Sequence, residues 1–332
     1  MPLALVTGAT GLVGSHLVER LTSDGWRVRA LVRDPARAAW LSALGAELHA
    51  GDVLDPGSLA SGAAGCEAIF HTAAAITPRG GWRAFEGPNV QGTRNVIEAA
   101  ARSGARLSHL SSVAVYGPGA RYDAGGPTTE SAPLGALPEA ALYARSKRDS
   151  EALVLAAHRS GEVWATAIRP CVIYGIRDRQ FVPRIARALR LGVAPVLGDG
   201  STTLSVVHAA NVADAAVRAV RTAAAGGKAY NAANDFDVSV AQFFRLAALG
   251  LGRRVRLLRV PVAVAAIAAR IAGAVAELSG RHGSGVMAGA VVDFFSRDNP
   301  FSSDLARREL GWSPTVRPEQ GVPAAFAWVA RR

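Results

Sequence analysis

The hydrophobic positions of the chain follow two rhythms. Short apolar runs at 3–7, 27–32, 46–50, 68–72, 106–111 and 163–169 have the length and composition of buried strands. Between them, stretches near 12–24, 35–44, 56–63, 83–103, 141–160 and 180–191 carry apolar residues at helical spacing. Alternation of this kind predicts an α/β fold, a doubly wound parallel sheet with helices on both faces. After about residue 236 the alternation fades, and an Ala/Val-rich stretch (259–278) and a charged helix (302–310) take over. The expectation is a smaller, mostly helical C-terminal domain that caps the carboxyl ends of the strands, where such sheets bind ligands. This division assigns residues 1–175 and 206–235 to a dinucleotide-binding domain and residues 176–205 and 236–332 to a substrate domain.

The apolar stretch 260–278 invites comparison with a membrane span, but Arg270 sits near its centre. A central arginine costs at least about 2.5 kcal/mol in a bilayer. A buried or substrate-covering helix is expected instead, with peripheral membrane contact left open.

Composition narrows the picture further. Of 332 residues half are hydrophobic and 19% charged, the profile of a soluble enzyme. The two cysteines, Cys66 and Cys171, have neither metal-ligand nor redox spacing. No disulfide framework and no metal site are expected, and with no secretory pattern at the first residues the expected location is cytoplasmic. The net charge of +11 comes almost wholly from arginine, since Lys147 and Lys228 are the only lysines. The arginines are scattered among acids and alanines, without the focused basic face that nucleic-acid binding needs, so no nucleic-acid partner is expected.

The first chemical motif is Thr7-Gly8-Ala9-Thr10-Gly11-Leu12-Val13-Gly14, between the first strand and the first helix. Glycines there allow a tight turn and close approach to a pyrophosphate, and the helix N-terminus offers free N–H groups and a positive dipole. Gly8, Thr10, Gly11, Leu12, Val13 and Gly14 are therefore cofactor-binding candidates. At the end of the second strand, where an acid would take the ribose of NAD, the chain has Arg33 followed by Asp34. Arginine suits the 2′-phosphate of NADP, with Arg37 able to assist, and NADP is favoured over NAD; the other reading leaves Arg33 in solvent and gives the ribose to Asp34. Asp52, with Val53 beside it, is placed to accept from an adenine amino group. Thr72, Ala73 and Ala74 end the fourth strand with small residues that leave room for a ribose.

The second motif is Tyr143-Ala144-Arg145-Ser146-Lys147 with Ser112 upstream. Tyr143 and Lys147 are four apart and share a helix face. A phenol with its usual pKa near 10 is a poor catalyst at neutrality, and a neighbouring ammonium and an oxidised nicotinamide are both expected to favour the phenolate. Ser112 can hydrogen-bond a substrate oxygen and hold the carbonyl carbon within hydride reach.

With these motifs the chain resembles an extended short-chain dehydrogenase/reductase of the NAD-dependent epimerase/dehydratase superfamily. The likeness runs nearly the whole length, through Asn89-Val90-Gln91-Gly92-Thr93, Ser111–Gly117, Arg169-Pro170, Val207-His208 and the region 303–312. The resemblance implies Ser112, Tyr143 and Lys147 as catalytic residues, and Pro170 and Val172 as flanks of the nicotinamide. It also implies a homodimer paired through the helices near 83–103 and 141–160.

Dehydratases of this kind usually carry Asp-Glu after the hydroxyl, where this chain has Val113-Ala114. Sugar-nucleotide members often place an arginine where Leu204 stands, which leaves Arg177 as the nearby cation for a diphosphate. The run through Val207-His208 to Asn211 is most similar to 3β-hydroxysteroid dehydrogenases and long-chain β-ketoacid reductases, and the stretch 259–278 suits an apolar pocket wall. His208 is expected to make a structural hydrogen bond rather than touch substrate. The reading is an NAD(P)-dependent oxidoreductase acting on a secondary alcohol or ketone of a small hydrophobic substrate, steroid-like or derived from a fatty acid. The alternatives are a sugar-nucleotide epimerase and a non-catalytic dinucleotide sensor.

Overall fold

A computed structural model describes residues 1–76, 80–118, 126–278 and 284–332. Its strands are β1 (Leu3–Thr7), β2 (Arg27–Val32), β3 (Ala46–Ala50), β4 (Ala68–His71), β5 (Arg106–Leu110), β6 (Ala165–Pro170), β7 (Val172–Tyr174), β8 (Val193–Leu197), β9 (Val206–His208), β10 (Ala229–Ala232) and β11 (Arg256–Val260). Seven of them form one parallel sheet in the order β10-β6-β5-β4-β1-β2-β3. The order reverses between β1 and β4, and the crevice at that switch point is where a doubly wound sheet takes its ligand. All five residues of β1 are buried, as its position at the middle of the sheet requires.

Each face of the sheet has its own apolar layer. Leu17, Val18 and Leu21 of helix Leu12–Ser23 join Val212 and Val217 of helix Ala209–Arg221 on one side. On the other, Leu59, Val96, Ala100 and Val154 come from the helices Pro56–Ala63, Gly92–Ser103 and Leu142–Arg159. A third cluster lies beyond the sheet and gathers Val182, Leu189, Leu204, Phe243, Phe244 and Phe326. It includes segments near 180–205 and 240–330 that are far apart in sequence.

The elements deviate from the pattern where local chemistry intervenes. The stretch 83–103 is three pieces: Trp82–Phe85, a widened π-type turn at Glu86–Gln91, and Gly92–Ser103. Pro88 lies inside that turn and has no N–H to donate to the ladder, so the helix cannot run straight through. The C-terminal region is not wholly helical, because β8 and β11 pair in a small parallel sheet. The Ala/Val-rich stretch divides at Pro261 into the end of β11 and the helix Val262–Leu278.

Candidate active site

The turn after β1 is shaped by backbone contact. Gly8 has φ +68, and a Cβ there would sit 2.6 Å from the Ala73 nitrogen. At Gly14 a Cβ would lie 2.2 Å from the Gly8 carbonyl oxygen. Side chains are thus excluded from both positions, which lets the turn press against the end of β4. Helix Leu12–Ser23 opens here with no acidic residue in its first turn. The residues fit the pyrophosphate of a dinucleotide, since the N–H groups at the helix start and the dipole meet no competing carboxylate.

A cavity of about 860 Å³ runs from this turn along the carboxyl ends of the strands. Thr10, Gly11, Leu12, Val13 and Gly14 line its start, followed by Thr72 and Ala74. Ser112, Tyr143, Lys147, Pro170 and Val172 line it as well, and Phe181 and Phe294 share the remaining wall with Arg179, Arg184 and Asp293. One cavity therefore gathers twelve of the sequence candidates. Thr72 also donates from its hydroxyl to the Thr7 carbonyl at 2.8 Å, which fixes the end of β4 against β1.

Gly8, Arg33, Asp52, Val53 and Ala73 are not among the residues that line the cavity. Arg33 is 84% exposed, with Nε 4.0 Å from an Asp52 oxygen. The other Asp52 oxygen accepts from the Leu54 N–H at 2.9 Å. Asp34 accepts from the Arg37 N–H and caps the short helix Pro35–Ala38. Val53 is buried beneath Gly92, and Ala73 faces Gly8.

Of the three catalytic candidates Lys147 is buried, while Ser112 and Tyr143 are half-buried at the cavity. Lys147 is 3% exposed and donates to the Leu110 carbonyl at 2.7 Å. Burial lowers its pKa to about 8, opposed by the Glu151 carboxylate one turn on. Burial raises the pKa of Tyr143, and the Ser112 hydroxyl beside it offsets this only in part. The sequence led us to expect an ammonium that pulls Tyr143 toward the phenolate. Here the ammonium donates to a backbone carbonyl, and desolvation shifts the phenol pKa upward. The Ser112 oxygen accepts from the Ala114 N–H at 3.1 Å, which orients the hydroxyl at the end of β5. A protonated phenol and an anchored hydroxyl on one cavity wall can donate to the same carbonyl oxygen.

Supporting contacts come from residues with no assigned role in the sequence. The Asn89 side chain accepts from the Ala75 N–H and donates to the Ala75 carbonyl and the Ser146 hydroxyl, tying the loop after β4 to the Tyr143 helix. Arg169 of β6 makes a buried two-point ion pair with Glu151 of that helix. The Asn89 motif was visible as a pattern, whereas its partners are set by tertiary packing.

Three expectations about the substrate end change. Leu204 is buried in the third cluster and is not among the cavity-lining residues described, so its apolar character reflects packing and not exclusion of a nucleotide. Arg177 is held by the Ser15 hydroxyl at 2.8 Å and by Glu19. Burial pushes the Glu19 pKa up, but hydrogen bonds from His16 and Arg177 outweigh it and hold the group at about 2. Arg177 is not the one nearby cation, since Arg179 and Arg184 also line the cavity. The apolar wall comes from helix Ser284–Ser296, through Gly289, Ala290 and Phe294; among the described residues the stretch 259–278 does not reach the cavity. His208 is buried and accepts from the Ala210 N–H, the structural bond expected of it.

The model of the NAD-dependent epimerase/dehydratase family matches residues 4–233. The chain belongs to that family. It is 31% identical to 4-hydroxy-2-methyl-3-oxo-4-farnesyl-3,4-dihydroquinoline-1-oxide ketoreductase of Stigmatella aurantiaca, over 96% of this chain and 94% of that protein. It is 32% identical to the ceramide reductase of Caulobacter vibrioides, over 98% and 90% respectively. Among solved structures, gox2253 superposes with a TM-score of 0.76 at 27% identity, covering 100% of this chain and 98% of that one.

Proposed function

We propose that this family member is a nicotinamide-dependent ketoreductase for an apolar ketone, reversible as a dehydrogenase of the matching secondary alcohol. The observation that carries this reading is one cavity that brings Ser112, Tyr143 and Lys147 together with the glycine turn and with Phe181 and Phe294. The bound nicotinamide would supply the hydride. Thr10–Gly14 would hold its pyrophosphate, and Pro170 and Val172 would flank its ring. Ser112 fixes the substrate oxygen, Tyr143 gives that oxygen a proton, and Lys147 supplies positive charge beneath the site. Exposed Arg33 suits a 2′-phosphate, so NADP is the preferred cofactor in this reading. The ketoreductase and ceramide reductase relatives support an apolar substrate by their names. A homodimer through the helices Gly92–Ser103 and Leu142–Arg159 completes the proposal.

A second reading has one observation in its favour. Arg179 and Arg184 on the cavity wall could bind the diphosphate of a sugar nucleotide, as an epimerase would require. Calorimetry with UDP, UDP-glucose and UDP-galactose separates the two. We expect binding no tighter than roughly millimolar, alongside NADPH-dependent reduction of a long-alkyl or steroid ketone. Micromolar binding of any of the three nucleotides would replace the reductase with the epimerase.

A further inference from the structure

The helix Val262–Leu278 is built inside out. Val264, Ile267 and Ile271 share one face at helical spacing, and they are 55%, 59% and 61% exposed. Gly273 on the opposite face is buried, and Ala265, Ala266 and Ala269 near it are half-buried. Among the described residues the packed side, where the helix Ser284–Ser296 lies, holds only small residues, while the large branched ones face solvent together with Ala263, Ala268, Ala272 and Ala274. A helix that covers a core does the reverse. Leu258, Val262 and Val291 are exposed on the same and adjoining elements. Single exposed aliphatic residues are ordinary, whereas an ordered stripe of them marks an interaction surface.

Charge selects the occupant. Residues 251–274 contain five arginines and no acid. Arg253, Arg254, Arg256, Arg259 and Arg270 are all exposed. None of the five is ion-paired among the described residues. A second copy meeting this face across a two-fold axis would set arginine against arginine. Among the described residues no helix is long and apolar enough to cross a membrane. An apolar stripe with a cationic rim instead matches the boundary between acyl chains and anionic headgroups.

We propose that this face rests on an anionic lipid bilayer, with Val264, Ile267 and Ile271 in the acyl boundary and the arginines at lipid phosphates. The helix Ser284–Ser296 packs on this one and also carries Gly289, Ala290 and Phe294 to the cavity wall. A docked bilayer therefore lies one helix away from the cavity. Supply of an apolar substrate from that bilayer rests on the reductase reading; the docking itself does not.

Vesicle flotation of the full chain tests the proposal. Vesicles of phosphatidylcholine alone are compared with vesicles containing about one-third phosphatidylglycerol, at low salt and at about 0.5 M salt. Wild type should float with the anionic vesicles and be released by salt. Ile267→Glu/Ile271→Glu should weaken that partition at least about tenfold, as should Arg256→Ser/Arg259→Ser/Arg270→Ser. Circular dichroism checks that each variant folds, and the arginine variant, which leaves the apolar packing untouched, covers failure of the first. The proposal is overturned if wild type stays soluble, if both vesicle types bind it equally, or if the variants float like wild type. It is also overturned if the isoleucine variant halves the mass by light scattering without changing flotation, since a second copy would then cover the stripe. Turnover of a short soluble ketone is followed without vesicles on the same samples. Flotation without turnover removes the reductase reading alone, and turnover without flotation removes the membrane surface alone.

Discussion

Desolvation raises the pKa of the half-buried Tyr143 beside Ser112, and a phenol that keeps its proton can give it to the oxygen of a carbonyl under reduction. Tyr143→Phe keeps the ring and removes that proton. Turnover should fall at least about a hundredfold, within the range of general acid–base contributions, while cofactor affinity changes far less. Steady-state kinetics beside a cofactor titration checks this, and near-normal turnover would remove Tyr143 from the chemistry. Arg33 reaches toward Asp52 across the ends of β2 and β3 and is otherwise solvated. Arg33→Ala should weaken NADPH binding more than NADH binding, because NADPH alone carries a 2′-phosphate. Equal changes in the two dissociation constants would make Arg33 a bystander. The catalytic candidates were legible because their relation is local: Tyr143 and Lys147 are four apart on one helix, and Ser112 closes a strand. Leu204 was not legible in this way. Its neighbours Val182 and Phe243 are brought to it by the fold, so the same leucine could line a cavity or fill a core until packing decides.

At the scale of elements, the alternation of strands and helices was readable through β6 because each element buries a face against the same sheet. β7 and β9, at three residues each, are too short to show a period. The helix Val262–Leu278 misled for another reason. Apolar content predicts burial only when the other side is polar, and here the buried side is alanine and glycine. Buried histidines join other elements. His71 of β4 is hydrogen-bonded to Thr7 of β1 at 2.8 Å and to Thr93 of helix Gly92–Ser103 at 3.0 Å. Burial lowers the pKa of His71 to about 3, reinforced by Lys147, and burial lowers that of His208 to about 3 as well. In the unfolded chain both should titrate near their ordinary value of about 6.5. Below that value the unfolded state binds protons that the folded state refuses, so stability is present above pH 6.5 and is lost as pH falls toward 3. Between about pH 6.5 and 5, above most carboxylate titration, these two groups should remove about 3 kcal/mol. Urea denaturation at the two pH values measures the loss, and equal stabilities would show that the imidazoles titrate freely in the folded state.

At the scale of the whole molecule, the parallel sheet and the C-terminal segments meet over one cavity, and each contributes a different property. The carboxyl ends of the strands bring the glycine turn, Ser112 and Pro170, while the helices Phe181–Leu189 and Ser284–Ser296 bring Phe181 and Phe294 together with Arg184 and Asp293. The glycine turn, the Tyr143 phenol and the phenylalanines thereby share one cavity, which is the arrangement that the proposed hydride transfer to an apolar ketone requires. The most direct test of that claim follows the hydride itself. NADPH carrying deuterium at C4 is mixed with the protein and a long-alkyl ketone, and the product is examined by mass spectrometry and NMR. The account predicts one deuterium on the new carbinol carbon, delivered from one face of the nicotinamide and giving one alcohol enantiomer. Cofactor that binds but leaves every ketone unreduced, or deuterium that never appears at carbon, would contradict it.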